Sequence, residues 1–252
     1  MTAITLLGID TATATAGIAI VDGDGRVLAE ARHGTAGRGA DLLVAIDQVC
    51  RDAGVAPAAL HAIAVGAGPG SFTGLRIGMA TAKGIAFAAG RPLWAVSSLA
   101  ALAADAREEL AGGPLPADAD AVICAALDAR RGELFAGGYR RGAALGPERV
   151  MPPGELAAWI DELAAAAAGD GPAPVIQFAG DAIDAHPSLA AQPGAQRWLS
   201  ARTPSGRAVA RLALAGVHVD ITRGGAPTYI RPSEAEVKYP DGVPGALRRR
   251  DT

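Results

Sequence analysis

Residues 62–89 constrain this chain more than any other stretch. An apolar run, Ala62-Ile63-Ala64-Val65, opens directly into Gly66-Ala67-Gly68-Pro69-Gly70-Ser71-Phe72-Thr73-Gly74-Leu75-Arg76-Ile77-Gly78, and a helix-forming segment follows to Ala89. Glycines this dense, broken by a proline, suit a backbone that needs positive φ and close approach to a neighbour. Beyond the loop, Gly74, Gly78, Ala82 and Ala86 recur every fourth residue, and Ala80, Gly84 and Ala88 form a second row. Positions i and i+4 stack on one helix face, so this helix offers flat surfaces poor in side chains. A glycine inside a helix costs about 1 kcal/mol against alanine, a cost offset where something packs very close. The helix is expected to be touched along these rows.

Around this segment the patterning alternates. Strands are expected at 4–9, 16–21 and 26–32, the last two joined by the hairpin turn Asp22-Gly23-Asp24-Gly25, since Asp-Gly pairs tolerate positive φ. Leu42, Leu43, Ile46, Val49 and Cys50 sit at helical spacing in 41–53, and Gly54 closes that helix. The strand at 62–65, the glycine loop, the helix at 73–89, a strand at 92–96 and a helix from Ser97 or Ser98 to about 110 complete the first part. The chain breakers Gly112-Gly113-Pro114-Leu115-Pro116 mark a domain boundary. After it, 121–127 and 133–139 read as a hairpin about the turn 128–132. A helix at 153–168, a strand at 175–178 and a helix at 205–217 follow, with loop expected over 180–199. Three strands, then helix-strand-helix-strand-helix, is by fold-level analogy the order of one half of an actin/hexokinase/Hsp70-type domain, and two such halves would make a bilobed protein. The expected fold is therefore bilobed α/β (ASKHA), two mixed-sheet half-domains flanked by helices, with lobes 1–111 and 112–252. The last helix is a candidate for packing back on the first lobe.

The glycine loop could hold an anion through backbone amides and a helix N-terminus, which would make Gly70, Ser71 and Thr73 contacts. It carries neither the Lys-Ser/Thr of a P-loop nor dinucleotide-fingerprint spacing. The competing reading is that Ser71 or Thr73 merely caps the helix. Asp10 with Thr11 and Thr13 ends the first strand; an acid there either approaches phosphate and Mg²⁺ or makes an Asx-turn. Asp128, Arg130, Arg131 and Glu133 form a charged turn that either positions a nucleotide or partner, with Arg130 the contact, or is a hairpin bearing its own ion pairs. His33, His61, His186 and His218 lie far apart, and no His-x-x-x-His or His-Glu-x-x-His occurs, so no metal site is expected.

Composition narrows the class further. Half of the 252 residues are hydrophobic but only 4% aromatic, which implies a core of aliphatics and close helix contacts. The net charge of −3 gives no nucleic-acid footprint, and Arg248-Arg249-Arg250 reads as a solvated tail. Cys50 and Cys124 lack metal spacing and suit buried positions in a reducing compartment. No charged-then-apolar leader opens the chain, and the apolar run 77–89 is too short to span a bilayer. A cytoplasmic location is expected.

Five motifs in order, Ile9-Asp10-Thr11-Ala12-Thr13, the 68–78 loop, Val96-Ser97-Ser98-Leu99, Asp128-Ala129-Arg130-Arg131-Gly132-Glu133-Leu134-Phe135 and Pro227-Thr228-Tyr229-Ile230-Arg231, resemble the TsaB (YeaZ) family. That family serves threonylcarbamoyladenosine formation in tRNA. The resemblance is dense over 4–100, clear at 122–135 and thin afterwards. It implies a non-catalytic subunit that binds and activates a TsaD-like transferase together with a TsaE-like ATPase. It also implies a homodimer when alone, tRNA contact only through the complex, and no tightly bound cofactor beyond a nucleotide at the complex interface. The pairing helices of the family put the interface on Leu42, Leu43, Ile46, Gly74, Gly78, Ala82, Gly84 and Ala86. One departure stands out: Arg38-Gly39-Ala40-Asp41 falls where such chains often carry a histidine. The rival reading is an actin-fold ATP-dependent phosphotransferase or ATPase, with Asp10 its best-placed group.

Overall fold

The computed structural model describes residues 4–34, 39–112, 121–168, 174–191 and 198–230. Most of the chain-breaker boundary and the Arg248–Arg250 cluster lie outside these residues. Strands β1 (Thr5–Asp10), β2 (Thr15–Asp22) and β3 (Val27–Gly34) form an antiparallel meander. Helix α1 (Gly39–Asp52), β4 (Ala62–Gly66), α2 (Phe72–Ala89), β5 (Leu93–Val96) and α3 (Ser98–Ala111) follow. The second half contains β6 (Ala121–Arg130), β7 (Glu133–Arg140), β8 (Ala143–Ala144), β9 (Arg149–Met151), α4 (Leu156–Ala168), β10 (Val175–Ala179), α5 (Ala182–Ala185), α6 (Gly206–Leu214) and β11 (Val219–Asp220).

Two sheets result. The first runs β11-β5-β4-β1-β2-β3, the second β10-β6-β7-β8 with β9 also on β7. Parallel pairing of β1 with β4 and of β4 with β5 makes the first sheet mixed. Every residue of β1 is buried, because both faces are covered: Leu7 and Ile9 pack in the cluster with α1 and α2, Leu6 in the one with α6. The second sheet buries Val122, Cys124, Leu134 and Phe178 against Trp159, Ile160 and Leu163 of α4. Helix α3 joins the two halves, since Leu99, Leu102 and Ala106 pack with Ile123, Leu127 and Phe135.

Helix α6 returns to the first sheet. A Cβ at Gly8 would lie 2.0 Å from the Gly206 carbonyl, and one at Gly206 would lie 2.4 Å from the Ala19 nitrogen. Only glycine permits this approach of helix to strand. Asp105 of α3 anchors the helix entry. It is buried and accepts from the Ser205 backbone N–H (2.8 Å) and hydroxyl (2.6 Å), while Ser205 also caps α6 at Ala208. Arg207 then pairs with Glu30, Asp105 and Glu108.

Three differences from the sequence expectations have local causes. The stretch 180–199 is not all loop, because Ala182–Ala185 and the 3-10 segment Pro187–Ala191 bury Ala182 and Leu189 under the second sheet. The turn expected over 128–132 shrinks to Arg131-Gly132: β6 continues to Arg130, which pairs with Glu133 across a register shift. The edge strands β8, β9 and β11, of two or three residues, are too short for any period to announce them.

Candidate functional site

The end of β1 and the glycine loop close on each other. The Ala12 N–H donates to Asp10 Oδ1 at 2.8 Å, and the Ser98 hydroxyl donates to Asp10 Oδ2 at 2.6 Å. Gly68 N–H in turn donates to Ser98 Oγ, and Ser98 N–H donates back to the Gly68 carbonyl at 2.8 Å. Asp10 and Thr11 are both fully buried. A Cβ at Gly66 would fall 1.8 Å from Asp10 Oδ2, so the carboxyl occupies the space that a side chain there would need. Desolvation pushes the Asp10 carboxyl up from 3.8 to about 6, against the lowering pull of Ser98 and Ala12.

Thr11 explains the first row of small residues. Its hydroxyl donates to the Gly74 carbonyl at 2.8 Å. A Cβ at Gly74 would meet the Thr11 carbonyl at 2.2 Å, and one at Gly78 would meet Thr11 Oγ1 at 2.1 Å. The close neighbour of this helix face is the chain's own β1 end. Ser71 caps α2 by accepting from Gly74 N–H, and its own N–H donates to the Ala12 carbonyl at 2.7 Å. Thr73 is exposed.

The structure thus gathers Asp10, Thr11, Gly70, Ser71 and Thr73, but it spends the first four on internal contacts. As nucleotide or anion contacts, Asp10 and Thr11 are corrected: neither has surface to offer. Arg130 sits apart in the β6–β7 turn, paired with Asp128 at 3.2 Å. Asp128 also accepts from the Arg130 N–H, while its own N–H donates to Asp181. Burial raises the Asp181 carboxyl above the usual carboxylate range. The turn is a hairpin with its own ion pairs.

The expected interface residues divide. Leu42, Ile46, Gly74, Gly78, Ala82 and Ala86 are buried in the first lobe, so they cannot meet a partner there. Helix periodicity turned them to the core, since they share faces with Val49, Leu75 and Met79. The outward face carries Ala80, Gly84 and Ala88 instead, and nothing lies within 4 Å of a Cβ at Gly84. Phe87 on the same helix is 91% exposed, and on α1 Leu43 is 50% and Val44 66% exposed.

Sequence reasoning did not find Ser98 as the Asp10 partner, nor Asp105. A signal for Asp105 existed, because it falls on the same face of α3 as Leu102 and Ala106, where an acid must be satisfied internally. The Phe72–Arg76–Tyr229 contact was also missed: the guanidinium lies 3.8 Å over the Phe72 ring and donates to the Tyr229 hydroxyl.

This chain is similar to the Bacillus subtilis tRNA threonylcarbamoyladenosine biosynthesis protein TsaB, with 30% identity covering 93% of this chain and 97% of that protein. The chain belongs to the TsaB family. Solved structures agree. A Pseudomonas aeruginosa protein described as similar to the peptidase YeaZ superposes with TM-score 0.73 at 32% identity, covering 90% of this chain and all of that one. YeaZ from the same organism gives 0.70 at 29%, covering 90% and 99%. The family model that matches, over residues 39–193, is TsaD: tRNA N6-adenosine threonylcarbamoyltransferase. The mixed α/β fold with two sheets is the one these YeaZ structures share. Within this TsaB-family chain the histidines serve scattered structural contacts: His61 with Thr5, His186 beside Asp128, His218 stacked on Trp94. Among the described residues, no helix is long and apolar enough to cross a membrane.

Proposed function

We propose that this chain acts in threonylcarbamoyladenosine formation as a non-catalytic subunit. It binds a TsaD-like transferase and holds it in the active conformation. The transferase, working with a TsaE-like ATPase, moves the threonylcarbamoyl group from threonylcarbamoyl-adenylate to the adenosine beside the tRNA anticodon. The observation that carries the reading is a contrast on the first lobe. The strand-end acid that a phosphotransferase would aim at Mg²⁺ and phosphate is sealed under the chain's own glycine loop. Helix α2 leaves Phe87 in solvent next to a bare Gly84, and α1 leaves Leu43 and Val44 in solvent. An exposed Phe87 beside the bare Gly84 on the small-residue helix α2, with further exposed apolar residues on α1, suits close helix pairing. The same face serves self-pairing when the partner is absent. A nucleotide, if one is held, sits at the interface between subunits, and tRNA is met only through the complex in the cytoplasm.

The rival, an actin-fold ATPase or phosphotransferase, needs an accessible Asp10, and its burial counts against that reading. Copurification tests the proposal. The tagged chain, recovered from its host at moderate salt, is expected to bring a TsaD-like subunit with it, and Gly84→Leu is expected to lose it. Recovery without any such subunit rejects the reading.

A further inference from the structure

Beyond β11 the chain runs across α2 to the glycine loop. Its root is fixed: Ile221 is buried and its N–H donates to the Leu93 carbonyl at 2.9 Å, while the Leu93 N–H donates to the Thr222 hydroxyl at 2.9 Å. Gly224 and Gly225 follow, both exposed, and Lys83 of α2 donates to the Gly225 carbonyl. The far end grips the loop. Thr228 N–H donates to the Ala67 carbonyl at 2.7 Å, and a Cβ at Gly68 would lie 2.9 Å from the Thr228 carbonyl. Tyr229 fastens that end from outside, its ring 5.2 Å from the Phe72 ring and its hydroxyl accepting from Arg76 Nε at 3.2 Å. Ile230 packs against the cluster that holds Ala12 and Leu75. The loop beneath is the one that reaches Asp10 through Ser98 and Ala12.

We propose that residues 224–230 are a latched strap over the glycine loop, hinged at Gly224-Gly225 and fastened by Tyr229 on Phe72 and Arg76, so that unfastening Tyr229 frees the loop above Asp10. The contacts divide as a hinge and a latch require. The root is bonded twice to β5 and buried, whereas the fastener lies at the surface, with Phe72 38% and Tyr229 39% exposed. Segments held by exposed hydrogen bonds and few buried apolar contacts are the ones that open first, and adjacent glycines absorb the backbone rotation of a hinge. Arg76 carries the fastening: it lies 3.8 Å over the Phe72 ring while bonding Tyr229, so one guanidinium ties the helix to the strap. Arg76 also begins the exposed row that runs on through Ala80, Gly84 and Ala88, and contact made along that row meets the fastener. The strap thereby links the outer face of α2 to the loop that covers a buried acid. It is independent of the partner-subunit reading, and either can fail without the other.

The test uses the full-length protein and two readouts of opening. Amide exchange by NMR follows the Gly68 and Ser71 N–H groups, which bond to Ser98 Oγ and the Ala12 carbonyl, against the β1–β2 ladder. Carbodiimide coupling of a small amine, read by mass spectrometry, follows Asp10 against Asp105, the acid buried at the α6 entry. Tyr229→Ala is expected to speed the loop amides and Asp10 coupling about tenfold or more, the scale of one charge-assisted hydrogen bond, while the ladder and Asp105 keep their rates. Arg76→Gln should match it. Tyr229→Phe, which keeps the ring and loses the acceptor, should give a smaller rise, and it carries the test if Tyr229→Ala lowers the melting temperature. Gly84→Leu leaves the fastener intact and should change neither readout, which separates a failure here from a failure of partner docking. Unchanged loop exchange and Asp10 coupling in the Tyr229 variants, or a rise shared equally by the ladder and Asp105, would overturn the proposal.

Discussion

The two small-residue rows of α2 make opposite demands on a bulky side chain, and that difference can be measured. Ala82 is fully buried against the first sheet. Leucine there adds three carbons to a closed space, which costs about 1–3 kcal/mol of overpacking. For a domain of this size, 1 kcal/mol corresponds to about 2–4 °C in melting temperature. Ala82→Leu should therefore melt roughly 2–12 °C lower. Gly84 faces solvent with nothing within 4 Å of a Cβ. Leucine there removes the helix penalty of glycine, worth about 0.8–1 kcal/mol, so Gly84→Leu should melt a few degrees higher. It should nevertheless block close approach of a partner helix. Calorimetric melting gives the stabilities, and surface plasmon resonance against the TsaD-like subunit gives the binding. A Gly84→Leu protein that melts as low as Ala82→Leu, or that binds like the wild type, refutes the assignment of inward and outward rows.

Other consequences follow from the same geometry. The buried Asp10 carboxyl holds its proton in the folded state to about pH 6 but in the unfolded chain only to about 3.8. The folded state thus binds more protons between those values, and stability falls as pH rises through them, by about 3 kcal/mol in total. Asp10→Asn should flatten that part of the urea-derived stability profile; an unchanged profile counts against the burial argument. Gly206→Ala would press a methyl onto the Ala19 nitrogen and the Gly8 carbonyl, so it should destabilise by about 3 kcal/mol, the upper end of overpacking. A neutral Gly206→Ala in denaturant titration would mean that α6 does not seat as described. The purified chain alone should bind tRNA no more tightly than about 1 μM at physiological salt, since few cations are available to release counterions; tighter retention on filters would contradict this.

Much of the first lobe was legible because its elements are long and its punctuation strong. The Asp-Gly hairpin, the amphipathic α1 and the glycine loop each left a local signature, and Ser71 caps α2 as its place before the helix suggested. What touches the small-residue helix was not legible. The hydroxyl that bonds Gly74 belongs to Thr11, 63 residues earlier, and no period in the sequence reports such a distance. The same holds for α6, whose docking depends on Gly8, Gly17 and Gly206 meeting across the fold. Small-residue rows show that something approaches closely, but not whether it comes from the same chain. Asp105 was legible in principle, since its spacing puts an acid on an apolar face. Whether Asp10 makes a contact or an Asx-turn stayed open in the sequence, because a strand-end acid reads the same whether solvent reaches it or a loop covers it.

The central claim is that the chain contributes a surface and no chemistry to adenosine modification. The most direct measurement is a reconstituted transfer reaction with the TsaD-like and TsaE-like proteins of the same host, threonylcarbamoyl-adenylate and unmodified tRNA, with modified nucleoside counted by mass spectrometry. Modification should depend on adding this chain, survive Asp10→Asn and fail with Gly84→Leu. Full modification in its absence, or loss of activity with a correctly folded Asp10→Asn protein that still binds its partner, would contradict the account.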